Sequence, residues 1–146
     1  MIKFIEFEDK YKQQVIDFWM KICVDEFGFK EWEKDIKNMD NYTYKQNGGN
    51  FWLAIDNEEV IGTISLQNLG QGNGLLKAMY VHYEYRNKKI ASKLMEILLE
   101  FAKENHYKKI KLDTYKEFVA AIRFYEKTGF ERKEEIDNKY IYEKEF

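Results

Sequence analysis

Three cations surround the predicted start of a long helix. Arg86, Lys88 and Lys89 come directly after a predicted strand and before a segment with helical apolar periodicity. A cation at a helix N-terminus loses about 0.3–1 kcal/mol against the helix dipole, whereas free N–H groups and the dipole both favour an anion there. The pattern therefore predicts a turn that binds a phosphate or diphosphate group. A solvated basic turn is the alternative. Within this turn, Asn87 best tolerates a left-handed backbone conformation.

A second candidate is a tyrosine on a predicted helix over 117–127. Phe118, Ala121, Ile122 and Tyr125 recur at helical spacing, so Tyr125 is expected to face the core. A phenol, with a pKa of about 10, is able to donate a proton to a leaving thiolate of similar basicity. A buried tyrosine that only packs and satisfies its own hydroxyl is the alternative.

Other residues that often carry chemistry predict no site here. The glycine-rich segment 70–74 precedes a strand where a phosphate-binding loop requires a helix, so a hairpin turn is predicted. His82 and His106 fit no Ser-His-Asp pattern, although His82 ends a strand beside the basic turn. The only cysteine, Cys23, lies on the apolar face of a predicted helix and is expected in the core, with no internal disulfide and no metal site.

Hydrophobic periodicity predicts the elements that position these residues. Helices are predicted over 9–24, 29–39, 87–104 and 117–127, and strands over 2–7, 51–55, 60–68, 75–82, 109–114, 130–135 and 139–146. The order β-α-α-β-β-β-α-β-α-β-β predicts one α/β (α+β) domain over 1–146. We expect a mixed, mostly antiparallel twisted sheet with helices on both faces.

Length and composition restrict the class of protein. The chain has 146 residues, of which 45% are hydrophobic and 17% aromatic, which excludes an intrinsically disordered protein. A formal charge of −2 excludes a uniformly basic nucleic-acid-binding module. No apolar run reaches the roughly 18–20 residues of a membrane span, and acidic residues from Glu6 onward are too early for a signal peptide. A cytoplasmic protein with no nucleic-acid or membrane partner is expected.

Two segments resemble the GNAT superfamily of N-acetyltransferases. Residues 86–91 (Arg-Asn-Lys-Lys-Ile-Ala) fall on the family's phosphate-binding pattern Q/R-x-x-G-x-G/A. Residues 121–130 (Ala-Ile-Arg-Phe-Tyr-Glu-Lys-Thr-Gly-Phe) fall on its late helix pattern A-x-x-x-Y-E-K-x-G-F. The strand 77–81 resembles the family's fourth strand, and the two patterns occur in the family's order.

The resemblance implies a GNAT-like fold and transfer of an acetyl group from acetyl-CoA, the co-substrate, to a primary amine of a small molecule or protein. The transfer would be direct, in a ternary complex and without a metal. Tyr125 would be the catalytic acid that protonates the CoA thiolate. The residues implied to bind CoA are Met79, Tyr80, Val81, Arg86, Asn87, Lys88, Lys89, Ile90, Ala91 and Ser92. The backbone of Met79 and Val81 would pair with the pantetheine arm, and the amides of 87–92 would hold the diphosphate.

The sequence departs from the family pattern at several positions. Lys89 stands at a usual glycine, and Asn87 at a frequent one. Phe118 stands where relatives often have asparagine, and Leu75 lies near the place where many have a glutamate as candidate base. These departures leave open a degenerate, non-catalytic acyl-CoA-binding or interaction module.

The residues that contact the acceptor are not fixed by these motifs. Asp25, Glu26, Tyr42 and Tyr44 lie in the family's acceptor-facing region and are candidates to hold a cationic amine. A solvated acidic turn with exposed tyrosines is the alternative. The oligomeric state is also open, with a homodimer as a possible assembly.

Overall fold

The computed structural model describes residues 1–38 and 42–146 and contains one mixed sheet. Its strands are β1 (Ile2–Glu6), β2 (Asn50–Asp56), β3 (Glu59–Gly70), β4 (Asn73–Val81), β5 (Lys109–Tyr115), β6 (Glu131–Ile136) and β7 (Lys139–Glu145). Their spatial order is β1-β2-β3-β4-β5-β7-β6. Neighbouring strands are antiparallel except β4 and β5, which are parallel.

Helices cover both faces of this sheet. They are α1 (Lys12–Trp19), α2 (Glu33–Lys37), α3 (Tyr42–Gln46), α4 (Ile90–Glu104) and α5 (Val119–Lys127). Because successive side chains of a strand point to opposite faces, β2 contributes Trp52 to the core beside α4 and α5, and Phe51 and Leu53 to the core beside α1. The predicted fold class, a mixed and mostly antiparallel sheet with helices on both faces, is confirmed.

The pairing of β4 with β5 is short. The two strands pair only from Asn73 to Leu75, opposite Lys109 to Lys111. Farther along, β4 carries an irregularity in its pairing with β3, where Ala78 takes a left-handed conformation with φ of 54°. Within residues 1–38 and 42–146, the rest of β4 therefore has no partner strand on its β5 side, and a cleft opens between the two strands.

The helical elements differ from the predicted ones near the N-terminus. The single helix predicted over 9–24 is divided into a 3₁₀ turn (Asp9–Tyr11), α1 and a π-helical segment (Met20–Glu26). The helix predicted over 29–39 forms only a 3₁₀ turn (Lys30–Trp32) and α2, while Met39 lies outside the described residues. The short helix α3 was not predicted.

The long helix α4 starts three residues later than predicted. It begins at Ile90 and not at Asn87, because Asn87 and Lys89 both take positive φ, which a right-handed helix cannot contain. The predicted strands agree with the observed ones to within about two residues, as is usual for element ends. None of the helices in the described ranges is both long and apolar enough to cross a membrane.

Candidate active site

A cavity of about 820 Å³ occupies the cleft between β4 and β5. Its wall includes five of the residues predicted for the site: Met79, Tyr80, Val81, Arg86 and Tyr125. The other predicted residues, 87–92, do not line the cavity but follow Arg86 directly along the chain. The structure thus brings Arg86 of the first motif and Tyr125 of the second to one cleft, and the rest of the basic turn follows Arg86 outside the cavity wall.

A buried hydrogen-bond relay holds the irregular part of β4. The Thr63 hydroxyl donates to the Ala78 carbonyl over 2.7 Å and accepts from Trp19 Nε1 over 3.0 Å. Ser65 donates to the Lys77 carbonyl over 3.0 Å. Because these hydroxyls bind the strand at the point where its regular ladder is interrupted, they fix the bulge that turns β4 away from β5.

The end of β4 has one edge open toward the cleft. The His82 amide donates to Ile61 of β3. Since alternate residues of a strand direct their N–H and C=O groups to opposite sides, the polar groups of Val81 face away from β3. The Val81 carbonyl accepts a hydrogen bond from Arg86 Nε over 2.9 Å. An extended ligand in the cleft would meet this open edge, as an added strand would.

The basic turn exposes the start of α4. Asn87 and Lys89 have φ of 65° and 64°, so the chain reaches the helix through two left-handed residues. Lys89 is the N-cap and its side chain makes no capping hydrogen bond. The N–H groups of a first helical turn have no acceptor within the helix, which leaves them available to an anion. Lys88 lies with Nζ 5.5 Å from the centre of the Tyr85 ring.

Replacing Lys89 with glycine is expected to stabilise the fold. A left-handed conformation costs a residue with a Cβ about 1–2 kcal/mol, and lysine at an N-terminus opposes the dipole; glycine loses about 0.5–1 kcal/mol in chain entropy. We expect Lys89→Gly to raise the free energy of unfolding by roughly 1 kcal/mol, or about 3 °C in Tm. Calorimetry or chemical denaturation measures this. Lys93→Gly, inside α4, should lower stability by a similar amount, and a loss in both variants would contradict the argument.

Arg86 forms an ion pair with a carboxylate of the π-helical segment. Its guanidinium makes two hydrogen bonds to Glu26, at 2.7 and 3.0 Å, in addition to the bond to Val81. A planar guanidinium suits such a bidentate pair better than an ammonium would. Glu26 therefore ties the end of the π-helical segment to the basic turn, and this carboxylate is not free to hold an amine.

Tyr125 is a buried phenol on the wall of the cavity. Its side chain is 7% exposed, and no hydrogen bond to its hydroxyl occurs among the described residues. Burial, with a smaller contribution from the Asp113 carboxylate, raises the pKa of Tyr125 above its usual value. The phenol is therefore protonated at neutral pH and has a hydrogen-bonding capacity that the described chain does not use.

Two further polar side chains line the cavity, Cys23 on the π-helical segment and Tyr44 on α3. Cys23 is buried, as predicted, and its thiol is hydrogen-bonded to Tyr80; burial raises the pKa of Cys23. Tyr44 is buried and lines the cavity, so of its two interpretations the exposed tyrosine is wrong. The side chain of Tyr42 lies outside the described part of the chain. His82 has a local role, since its Nδ1 accepts from the Glu84 amide.

A group of aromatic rings and two carboxylates at the outer part of the cavity was not predicted as part of the site. Phe27, Trp32, Tyr115 and Phe118 line it together with the carboxylates of Asp35 and Glu117. The rings contact one another, with Phe27 and Phe118 at 5.1 Å and Tyr115 and Phe118 at 5.5 Å between centroids. The one local signal that could have indicated this group is the spacing of Trp32 and Asp35, which are three positions apart in the predicted helix over 29–39.

The chain is similar to a known protein family and to curated proteins. The model of the acetyltransferase (GNAT) family matches residues 11–130. The N-acetylaspartate synthetase of Xenopus tropicalis is 37% identical over 97 residues, which is 66% of this chain but 36% of that protein. The chain thus spans about a third of the length of this curated relative.

Two solved structures cover the whole chain. An acetyltransferase of the GNAT family from Staphylococcus aureus Mu50 has a TM-score of 0.89 and 33% identity, with 99% of both chains covered. The PaiA N-acetyltransferase of Thermoplasma acidophilum, in complex with coenzyme A, has a TM-score of 0.79 at 16% identity, covering 100% of this chain and 99% of that one, and shows the shared fold. Because the family model matches residues 11–130, most of its length, this chain belongs to the GNAT acetyltransferase family.

Proposed function

We propose that this protein is an acetyl-CoA-dependent N-acetyltransferase that acetylates a primary amine by direct transfer. The observation that carries the proposal is the junction of three features at one cleft: the open edge of β4, the basic start of α4 and the buried phenol of Tyr125. Each suits a different part of acetyl-CoA. The coenzyme A bound to the Thermoplasma relative supports the same ligand class.

The basic turn and the edge of β4 each suit one part of the co-substrate. The amides of 87–92 and the ammonium groups of Lys88 and Lys89 would hold the diphosphate, because free N–H donors and positive charge converge there. The edge of β4 from Met79 to Val81, with Tyr80 beside it, would pair with the amides of the pantetheine arm. A backbone N–H on this edge would also polarise the thioester carbonyl.

The residues present suit a transfer without a covalent enzyme intermediate. The amine nitrogen forms the bond to the acetyl carbon, the carbon–sulfur bond breaks, and the sulfur takes the Tyr125 proton. The proton lost by the amine then restores the Tyr125 hydroxyl, so the products are an N-acetyl amine and free CoA. Such a reaction depends on proximity and on a well-placed proton donor. Cys23 is not required as a nucleophile, since its raised pKa keeps it a thiol.

A non-catalytic acyl-CoA-binding module is the second candidate. One observation favours it: Arg86 already occupies the Val81 carbonyl, an acceptor on the edge that would bind the pantetheine arm. A protein of this kind would bind acetyl-CoA and release no CoA thiol with any amine.

Thermal melting with acetyl-CoA, followed by thiol release with a panel of amines, tests both candidates. A ligand at 100 times its Kd stabilises a protein by about 2.7 kcal/mol, a rise of several degrees here. A saturable rise with amine-dependent thiol release supports the enzyme, and a rise without release supports the binding module. No rise at millimolar acetyl-CoA would exclude both. The panel should include L-aspartate, because the Xenopus relative is an N-acetylaspartate synthetase.

The basic turn gives a direct prediction for binding. Replacing Lys88 and Lys89 together with glutamine is expected to raise the Kd for CoA about three- to tenfold, since two exposed cations contribute roughly 1 kcal/mol to an anion site. Isothermal titration at low salt measures it. The matched control replaces Lys103, in the last turn of α4, and Lys108, just before β5, with glutamine and should leave the Kd unchanged. Equal Kd values in both double variants would contradict a diphosphate site at this turn.

Two expectations from the sequence remain predictions. A cytoplasmic location agrees with the use of acetyl-CoA as co-substrate, and fractionation of the source cells would test it. A homodimer would be detected by sedimentation of the purified protein.

A further inference from the structure

The outer part of the cavity has two rims that carry the same pair of groups. One rim, at the start of α2, presents the Trp32 ring and the Asp35 carboxylate. The other, before α5, presents the Glu117 carboxylate and the Phe118 ring. Both carboxylates are exposed and still line the cavity, so they lie where it opens to solvent. A ligand in the outer part of the cavity therefore meets aromatic rings and two negative charges.

Two of the cations that line the cavity form ion pairs, whereas two of its carboxylates form none among the described residues. Of the three lining cations, Arg86 is paired with Glu26, and Lys139 lies 3.5 Å from Asp113. Within the described ranges no ion pair involves Asp35 or Glu117. Lys77 is therefore the one lining cation without an ion pair there, against two such carboxylates.

The Lys139 ammonium is an example of a cation that lies beside both an aromatic ring and a carboxylate. Its Nζ lies 4.9 Å from the centre of the Tyr115 ring as well as near Asp113, a combination of aromatic ring and carboxylate. A cation over an aromatic ring gains about 0.5–1 kcal/mol at exposed sites and more when desolvated. The two rims offer the same chemistry with no lysine of this chain in it among the described residues.

Deeper in the same cavity, the Tyr125 hydroxyl is buried and without a hydrogen-bond partner in the described part of the chain. An unpaired buried polar group is unfavourable unless a ligand or water satisfies it. This places the reacting end of a ligand inside and leaves its other end between the rims. The acceptor must therefore suit two environments, one at each end.

We propose that the acceptor amine carries a second, non-reacting positive charge on an apolar chain and no carboxylate, as in a diamine. This rests on the proposed acetyl transfer. The remote ammonium lies between Asp35 and Glu117 and against Trp32 and Phe118, while the reacting amine reaches the thioester near Tyr125. A carboxylate on the acceptor would meet two uncompensated negative charges at the rims.

Matched acceptors test this class directly. We expect kcat/KM for 1,5-diaminopentane and 1,8-diaminooctane to exceed that for pentylamine and octylamine, respectively, at least tenfold for the better-fitting chain length. L-lysine, which is diaminopentane with a carboxylate, should be at least tenfold poorer than 1,5-diaminopentane. Monoamines or L-lysine equal to or better than both diamines would overturn the proposal.

A double variant tests whether the two carboxylates cause the preference for diamines over monoamines. Asp35→Asn with Glu117→Gln is expected to lower kcat/KM for the preferred diamine about tenfold and to change that for its monoamine less than twofold. Because both side chains are exposed, the fold should be unaffected. Glu100→Gln, an exposed carboxylate on α4 outside the cavity, is the control and should change neither value. An unchanged diamine preference in the double variant would overturn the assignment.

Direct binding separates failure of this inference from failure of the proposed function. Titration of the protein with 1,8-diaminooctane, 1,5-diaminopentane or L-lysine, with and without CoA, requires no turnover. If no amine is acetylated but a diamine binds at least tenfold more tightly than L-lysine and the double variant loses this, the acceptor class holds and acetyl transfer does not. If acetylation occurs and the diamines show no such advantage, acetyl transfer holds and the acceptor class is wrong.

Discussion

Replacing Tyr125 with phenylalanine is expected to lower kcat at least about a hundredfold while leaving the Kd for acetyl-CoA within twofold. A positioned general acid contributes typically 10²–10⁴ to a rate, and a group that acts only in the transition state affects kcat and not ground-state binding. The reason lies in the leaving group, since a CoA thiolate must gain a proton as the carbon–sulfur bond breaks. In the described chain, Tyr125 is a protonated phenol on the cavity wall with a hydroxyl that nothing else binds.

The same substitution should leave the fold intact. The ring of Tyr125 packs against Phe124 and Phe130, at 5.8 and 6.1 Å between centroids, and phenylalanine keeps these contacts. Removing a buried hydroxyl that has no partner in the described part of the chain should change the free energy of unfolding by less than about 1 kcal/mol. A large fall in kcat with an unchanged Tm would therefore separate a chemical role from a structural one.

Tyr107→Phe is the matched control. Tyr107 is also buried, but its hydroxyl donates to the Gly48 carbonyl over 2.7 Å and it does not line the cavity. We expect this variant to lose about 1–2 kcal/mol of stability, because the Gly48 carbonyl loses its donor, and to keep kcat. If Tyr125→Phe keeps kcat as well, Tyr125 is only a packing residue and the proton donor lies elsewhere.

The parts of the site that sequence could predict are those with local signals. The inward position of Tyr125 follows from its spacing to Phe118, Ala121 and Ile122 over about two turns of helix, and the structure confirms its burial. The left-handed tolerance of Asn87 was also a local signal, and its φ is positive as expected. The hairpin at 70–74 was correctly distinguished from a phosphate loop because the following strand lies next to it in sequence.

The parts that sequence could not predict depend on contacts between distant residues. Glu26 and Arg86 are 60 positions apart, and nothing near either of them in the sequence indicates that they pair. Asp35 and Glu117 come together on one cavity only because α2 and the loop before α5 lie over the same sheet. The bulge at Ala78 has no signal in β4 itself, because the residue that fixes it is Thr63 of β3.

The buried relay through Thr63 gives the largest expected effect on stability. Thr63 is 0% exposed, and Thr63→Val changes the hydroxyl to a methyl group of nearly the same size. The indole N–H of Trp19, itself 1% exposed, then has no acceptor, and the Ala78 carbonyl loses a donor. A buried polar group without a partner costs about 1–3 kcal/mol, so we expect a loss of roughly 2–4 kcal/mol and of about 10 °C in Tm.

Thr63→Ser isolates the hydroxyl from the methyl group. Serine keeps both hydrogen bonds and should lose only about 1 kcal/mol for the missing methyl. Because Thr63 fixes the bulge at Ala78, the valine variant should also raise the KM for acetyl-CoA, which the serine variant should leave near its original value. Equal stability and equal KM in the two variants would show that side-chain packing, and not the hydroxyl relay, holds β4 apart from β5. If the KM rises in the valine variant and not in the serine variant, the opening of the cleft depends on the hydrogen bond from Thr63 of β3 to β4.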